Sequence, residues 1–228
     1  MALLGKAALA MWWNMADSMR SEFEDWHTHE HFPERLGVPG FLRSTRWTDA
    51  HGGAGVFVIY ELDTHAVLSS AAYLGRLNAP TPWSRKLMPY HQDMVRSQSH
   101  VLATYGSLTA RHALTVRLMA DGARGVERLC AGLREALACL PGQAGLTGAH
   151  LFRHEAPEIA QTTEQKIRKA PDQTVDAVVL LTGYDEAALR AAAAGHLNET
   201  ALIALGAIGA PAVNLYTLSH SALRSDIG

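Results

Sequence analysis

The feature that most constrains this chain is an internal repeat, in which two successive stretches carry the same order of strand and helix periodicities. In the first half, an apolar run over 8–15 is followed by a helical stretch from Asp17 to about Leu36. Strand-like segments follow at 39–47 and 56–62, then an alanine-rich helix over 66–77 and a last strand near 100–105. The second half predicts a strand over 113–119, a helix over 125–140, strands over 144–152 and 175–182, a helix over 186–197 and a closing strand over 212–219. Even the second helices resemble each other, AAYLGRL at 71–77 against AAAAGHL at 191–197. Asp185 is placed to cap the later one. Each half therefore reads β-α-β-β-α-β, the split βαβ unit. Such a unit leaves one sheet face apolar and in need of cover. Two units without a Pro/Ser-rich linker between Tyr105 and Ala113 predict an α+β body in which the sheets face each other, with units spanning 1–108 and 109–228.

Composition narrows the functional classes. The 228 residues carry 20 basic and 22 acidic side chains, 48% are hydrophobic, and mean hydropathy is −0.03. That balance argues against a dedicated nucleic-acid or anionic-membrane binder and against a disordered chain. No stretch approaches the ~20 apolar residues that span a bilayer, and the N-terminus lacks a secretory pattern. Cys130 and Cys139 fall nine residues apart on one predicted helix, about 13 Å along its axis, too far for a disulfide. A reducing cytoplasm is the expected compartment, with Cys130 packing in the leucine stripe. No phosphate-binding glycine loop, Gly-x-Ser-x-Gly or Cys-x-x-Cys occurs.

The segment 23–47, FEDWHTHEHFPERLGVPGFLRSTRW, resembles the dimeric α+β barrel superfamily, in which a ferredoxin-like unit pairs sheets with a second copy. The likeness lies in a helix carrying Trp26, Glu30 and His31, a break at Pro33, then Pro39-Gly40-Phe41 and an arginine-bearing strand ending in Trp47. It is most similar to EthD-like and antibiotic-biosynthesis-monooxygenase-like proteins. The resemblance implies two tandem ferredoxin-like units packed as a pseudo-dimeric α+β barrel. The superfamily includes cofactor-free monooxygenases, lactone isomerases, polyketide cyclases or dehydratases, haem enzymes and stress proteins, so the fold does not choose the reaction. The second copy lacks the Trp–His–Glu–His cluster and has Ala144-Gly145-Leu146 in place of Pro-Gly-Phe.

All five Trp, four of six Tyr and four of five Phe precede residue 110, which places an aromatic-lined pocket in the first unit. On a regular helix over 17–36, Met19, Phe23, Trp26 and Glu30 share one face. Glu30 in the middle of an apolar stripe would be an acid or base with a raised pKa; if the helix frays before Pro33, it sits at the rim instead. His27 and His31 at i and i+4 are candidates for proton transfer. The same spacing suits one metal ion, with His65, His91 or His100 as further ligands if the fold brings them close. HTHEH is not HExxH, however, and His29 points to solvent. Arg43 and Arg46 project to opposite strand faces, so one is expected to meet the ligand.

Trp26 and Trp47 are expected to hold the substrate. The loop 78–93 is read as a lid that adds Trp83, Tyr90 and His91. The excursion 154–174, with Lys166, Arg168 and Lys169, reads as a solvated arm.

The expected function is a cofactor-independent enzyme of small-molecule metabolism, of isomerase, lyase (dehydratase) or monooxygenase type. It would move a proton on a small aromatic or enolisable substrate, with His31, Glu30 and His27 catalytic. The alternatives are a haem enzyme of the same fold, a site for a divalent metal, or a non-catalytic ligand-binding or stress-response protein. A small-molecule partner is expected, without nucleic acid or membrane, and a homodimer is compatible with the reading.

Overall fold

In the computed structural model, which describes residues 2–168 and 172–227, eight strands close into one antiparallel barrel. The strands are β1 (Ala7–Met15), β2 (Phe41–Asp49), β3 (Gly55–Leu62), β4 (His91–Gly106), β5 (His112–Ala120), β6 (Leu146–His154), β7 (Ala177–Gly183) and β8 (Ala207–Leu223). Their order round the barrel is β1-β3-β2-β8-β5-β7-β6-β4. Read by halves this is 4-1-3-2 and 8-5-7-6, two ferredoxin-like sheets joined at both edges. The long strands make the joins. β4 pairs β1 through His91–His100 and β6 through Ser99–Gly106, while β8 pairs β5 and then β2. Both sheets thereby lose the open edges that would otherwise invite aggregation. The chain thus has the dimeric α+β-barrel, ferredoxin-like fold, with both copies in one polypeptide.

Strand alternation divides the apolar residues into three cores. One strand face points into the barrel, where Trp12, Phe57, Trp47 and Tyr216 stack at 5.0–5.6 Å between ring centroids. The opposite face of the first sheet meets α1 (Arg20–Trp26), α2 (Phe32–Leu36), α3 (Ala71–Asn78) and α4 (Pro82–Leu87) over an aromatic layer. In the second unit, α5 (Gly122–Leu137), α7 (Glu186–His196) and α8 (Glu199–Leu205) cover a layer of leucine, alanine and valine with Cys130. A short helix, α6 (Thr163–Arg168), lies on the excursion between β6 and β7. Asp185 accepts a hydrogen bond from the Ala188 amide, as its N-cap position requires. Both cysteines are free, Cys130 buried and Cys139 exposed.

The two turns that open β2 and β6 show why the copies differ in sequence and agree in shape. Gly40 and Gly145 both have positive φ (92° and 89°), and a Cβ on either would lie 2.4 Å from a side-chain carbon, of Val67 and Ala188 respectively. Glycine is the shared requirement; the flanking proline and phenylalanine are not.

Several expectations from periodicity are corrected. The long loop expected over 78–93 is ordered: Thr81 caps α4, Pro82 occupies its first turn, and β4 begins at His91. The helix expected over 66–77 is two pieces, a 3₁₀ turn at His65–Ser69 and α3, separated by the Ser70 cap. The excursion 154–174 is solvated only in part: Glu155, Glu158 and Lys166 are exposed, but the arm is anchored. Thr162 and Glu164 are buried, and Glu164 pairs with buried Arg35; Lys169 lies outside the described residues. Short amphipathic pieces that pack on another unit carry no long-range signal in their own periodicity.

Candidate functional site

The helix expected over 17–36 is interrupted by one π turn, His27–His31, between α1 and α2. A π turn acts as a one-residue insertion, and such turns often mark functional sites. Here it changes which side chain faces the sheet. Regular spacing continues the stripe Phe23–Trp26 to Glu30; the inserted residue passes that position to His31, which is buried, while Glu30 is half-exposed. The Glu30 carboxylate accepts hydrogen bonds from Trp26 Nε1 (3.0 Å) and Thr81 Oγ1 (2.5 Å). Glu30 thus sits at the rim and not mid-stripe, and it is the π turn that puts it there, since the helix continues through Pro33 without fraying.

Between this helix and the sheet lies a cavity with about 30 Å³ of free space, room for one or two waters. Its walls are aromatic and sulfur-bearing: Trp13, Trp26, Tyr60, Tyr73, Met88 and Met94. Its polar lining is His27, His31, His91, Arg35, Arg96 and, from the arm of the second unit, Thr162, Glu164 and Arg168. The imidazoles of His27 and His31 stack at 5.3 Å, and His31 lies 4.4 Å from the Trp26 ring. His91 packs 5.0 Å from Trp13.

All three histidines are held neutral. Burial, then the closeness of the His31 ring and the Arg46 guanidinium, depresses the His27 pKa well below its ordinary value; burial and then Arg35 do the same to His31. His91 is pulled down to about 4 by burial and by Arg168, against two backbone hydrogen bonds. Those bonds fix its tautomer. Nδ1 faces the carbonyl oxygens of Leu87 and Met88, both at 3.2 Å, and so carries the proton, leaving Nε2 with a lone pair. The Nδ1 atoms of His27 and His31 are buried without a hydrogen-bond partner among the described residues, and so is Arg96 Nε. Buried polar atoms of this kind call for a partner.

Arg35 is buried between Glu164 and Glu34, with Glu34 3.3 Å away. Arg96 donates to the Tyr73 hydroxyl (3.1 Å) and lies 3.9 Å from Asp172, which also pairs with Arg168 at 2.9 Å. The arm from the second unit thus closes the cavity through ion pairs, with Ile167 packed against the aromatic core beside them.

The expected site residues separate into groups. Trp26, His27, His31 and His91 come together at the cavity. Arg43 and Trp47 face the barrel interior, where Arg43 forms a fully buried pair with Glu61 (Nη2 to Oε2 2.8 Å). Arg46 faces the helices, bonded to the Glu24 carbonyl and the Thr28 hydroxyl, both at 3.2 Å, and does not line the cavity. Trp83 donates to Glu22, and Tyr90 is exposed. Neither lines the cavity, and His65 and His100 lie elsewhere. The arginines that do reach it, Arg35, Arg96 and Arg168, escaped the sequence reading. For Arg35 a signal was available, because His27, His31 and Arg35 recur every four residues.

A wider opening of about 380 Å³ at one end of the barrel is lined by Trp12, Asp49, Asp93, Arg117, Asn214 and Tyr216 among others. It contains no imidazole, and its two carboxylates disfavour an anionic ligand. Haem does not fit the helix-side cavity. In its closed form the cavity has free space far below the roughly 300–1,000 Å³ of ordinary ligand pockets and no room for a macrocycle.

No protein-family model and no curated protein matches the chain. Solved structures do. An anthrone oxidase-like protein superposes with a TM-score of 0.65 at 11% identity, over 100% of this chain and 97% of its own. A candidate monooxygenase of Fusobacterium nucleatum gives 0.59 at 7% identity, over 97% and 96%. A candidate chlorite dismutase, TA0507, gives 0.51 at 12% identity, over 98% of each chain. At these identities the likeness is one of fold. Among the described residues no helix is long and apolar enough to cross a membrane.

Proposed function

We propose that the cavity between the first sheet and the π-bulged helix binds a small, flat, enolisable aromatic compound and that the protein is a cofactor-independent enzyme acting on it by proton transfer. The observation that carries this reading is the pair of buried, neutral imidazoles, His27 and His31, whose Nδ1 atoms lack hydrogen-bond partners in an aromatic cavity beside Arg96, with Glu34 3.8 Å from His31 Nδ1. An unprotonated imidazole at neutral pH accepts a proton from an activated C–H or O–H. His31 and His91 are the candidate bases. The orphan Nε of Arg96 favours the enolate or phenolate that forms. That anion in turn raises the proton affinity of the imidazole beside it. Glu30 orients Trp26, against which the ring of the substrate stacks.

Among reactions that begin this way, the anthrone oxidase-like and monooxygenase neighbours favour oxygenation, on grounds of fold alone. Converting an activated methylene to a carbonyl with dioxygen consumes one O₂, releases one water and balances without a cofactor. Entry requires the arm carrying Thr162, Glu164 and Arg168 to lift, since the closed cavity holds only water-sized occupants.

The test is dioxygen uptake by the purified chain with a panel of anthrone- and hydroquinol-type carbon acids, repeated with His31→Ala and His91→Ala. Loss of a general base lowers turnover about 10²–10⁴-fold. Turnover that survives both substitutions, or stoichiometric haem uptake with a Soret band on which activity depends, contradicts the proposal.

A further inference from the structure

A second cluster of imidazoles lies outside the cavity, at the seam between the two units. His65 opens the 3₁₀ turn after β3, His100 lies on β4 where that strand passes from β1 to β6, and Glu155 follows the last residue of β6. Each offers one ligand atom, and these atoms all lie within 4.8 Å of one another. The two rings are stacked, with centroids 4.4 Å apart and planes 15° apart. His100 Nε2 is 3.4 Å from the Glu155 carboxylate, and His65 Nε2 is 2.7 Å from the Glu155 carbonyl oxygen. Two imidazole nitrogens and two oxygens of one residue therefore converge on a small volume.

We propose that His65, His100 and Glu155 form a binding site for a divalent transition-metal ion of the zinc class. Two imidazoles with one carboxylate suit such ions; calcium and magnesium prefer all-oxygen shells. The remaining coordination position is left to solvent or to the Glu155 carbonyl. The scaffold is ordered before any ion arrives. The Glu155 amide donates to the Gln98 carbonyl (2.8 Å), the His154 amide to the Asp176 carbonyl (2.9 Å), and His154 Nδ1 accepts from the Gln98 amide (3.1 Å). Two contacts give way when the metal binds: Arg153 Nη2, 3.2 Å from the Glu155 carboxylate, releases it, and His65 Nε2 loses the hydrogen that it donates to the Glu155 carbonyl.

The position gives the site a structural role. Two ligands belong to the first unit, and the third is the first residue of the arm that closes the cavity over Arg35. A bound ion pins the foot of that arm to the first unit. None of the three ligands lines the cavity, so the metal site stands on different residues from those of the proposed reaction.

The experiment uses the full chain, free of any affinity tag and stripped with a chelator, titrated calorimetrically with zinc sulfate. Cobalt(II) absorption serves as a second readout of coordination. One ion per chain is expected. His65→Ala and His100→Ala each weaken binding at least tenfold and abolish the cobalt band, Arg153→Ala tightens binding, and His27→Ala leaves it unchanged. Absence of stoichiometric zinc binding by the parent chain overturns the proposal. So does stoichiometric binding that survives the double His65→Ala/His100→Ala variant.

Discussion

The His31 imidazole rests 4.4 Å from the Trp26 ring, although they are five positions apart in the chain, a spacing that an uninterrupted α-helix would set about 140° apart. The π turn closes that angle and moves Glu30 off the stripe in the same step. The division of labour between these side chains follows. Glu30→Gln, which retains an oxygen for Trp26 Nε1, costs about 1 kcal/mol of stability and leaves turnover within a few-fold, whereas His31→Ala removes it. Steady-state kinetics of the two variants on one substrate checks the distinction. A loss as large in Glu30→Gln as in His31→Ala would make Glu30 the proton carrier.

The buried histidines set an acid limit on stability. His27, His31 and His91 have folded-state pKa values below their unfolded ones, and His150, hydrogen-bonded to Thr104, is likewise pulled down to about 4 by burial. Their contribution is complete above about pH 6.5 and is lost as pH falls, because the unfolded chain then binds protons that the folded one excludes. Each such histidine adds up to about 1.4 kcal/mol per pH unit to the slope between pH 6.5 and 4. Urea unfolding across that range is expected to show stability falling with acid. A flat profile contradicts the buried, neutral assignment.

The arm is held by charge. Glu164, 4% exposed, pairs with Arg35, 2% exposed, and removing one partner of a buried pair costs about 3 kcal/mol or more. Glu164→Gln is expected to lower stability on this scale. It also speeds hydrogen exchange in residues 155–168, because the cavity loses its clasp. Unchanged exchange there would show that the arm is secured elsewhere.

Arg43 and Glu61 provide the control. Their pair lies inside the barrel, away from the cavity, with Glu61 also accepting from the Leu4 amide. Glu61→Gln is expected to cost about 3 kcal/mol or more, while an apolar double replacement of Arg43 and Glu61 recovers much of it. Turnover per folded molecule stays unchanged in the double variant. A specific loss of turnover there would return Arg43 to the ligand site.

The doubled β-α-β-β-α-β order was legible in the sequence because strand and helix periods persist for whole elements and the copies reinforce each other. So was the aromatic weighting of the first unit. The π turn was not, because nothing in HTHEH departs from helical spacing; its effect was to misplace Glu30 by one position. Arg43 and Arg46 were separated correctly by strand alternation. That rule, however, does not say that one face of this sheet looks into a closed barrel and the other beneath α1. Arg96, Glu164 and Arg168 reach the cavity through tertiary contact between units, a relation that no local pattern encodes.

The proposed reaction requires the substrate to bind in the helix-side cavity rather than in the larger opening at the barrel end. The most direct test is to titrate isotope-labelled protein with a small aromatic carbon acid and follow the histidine and tryptophan side-chain resonances. Shifts confined to His27, His31, His91 and the Trp26 indole are expected, with the imidazoles neutral at pH 7. Shifts centred on Trp12 and the neighbouring Asn214 side chain, with those histidines undisturbed, would place the ligand in the barrel mouth and contradict the account.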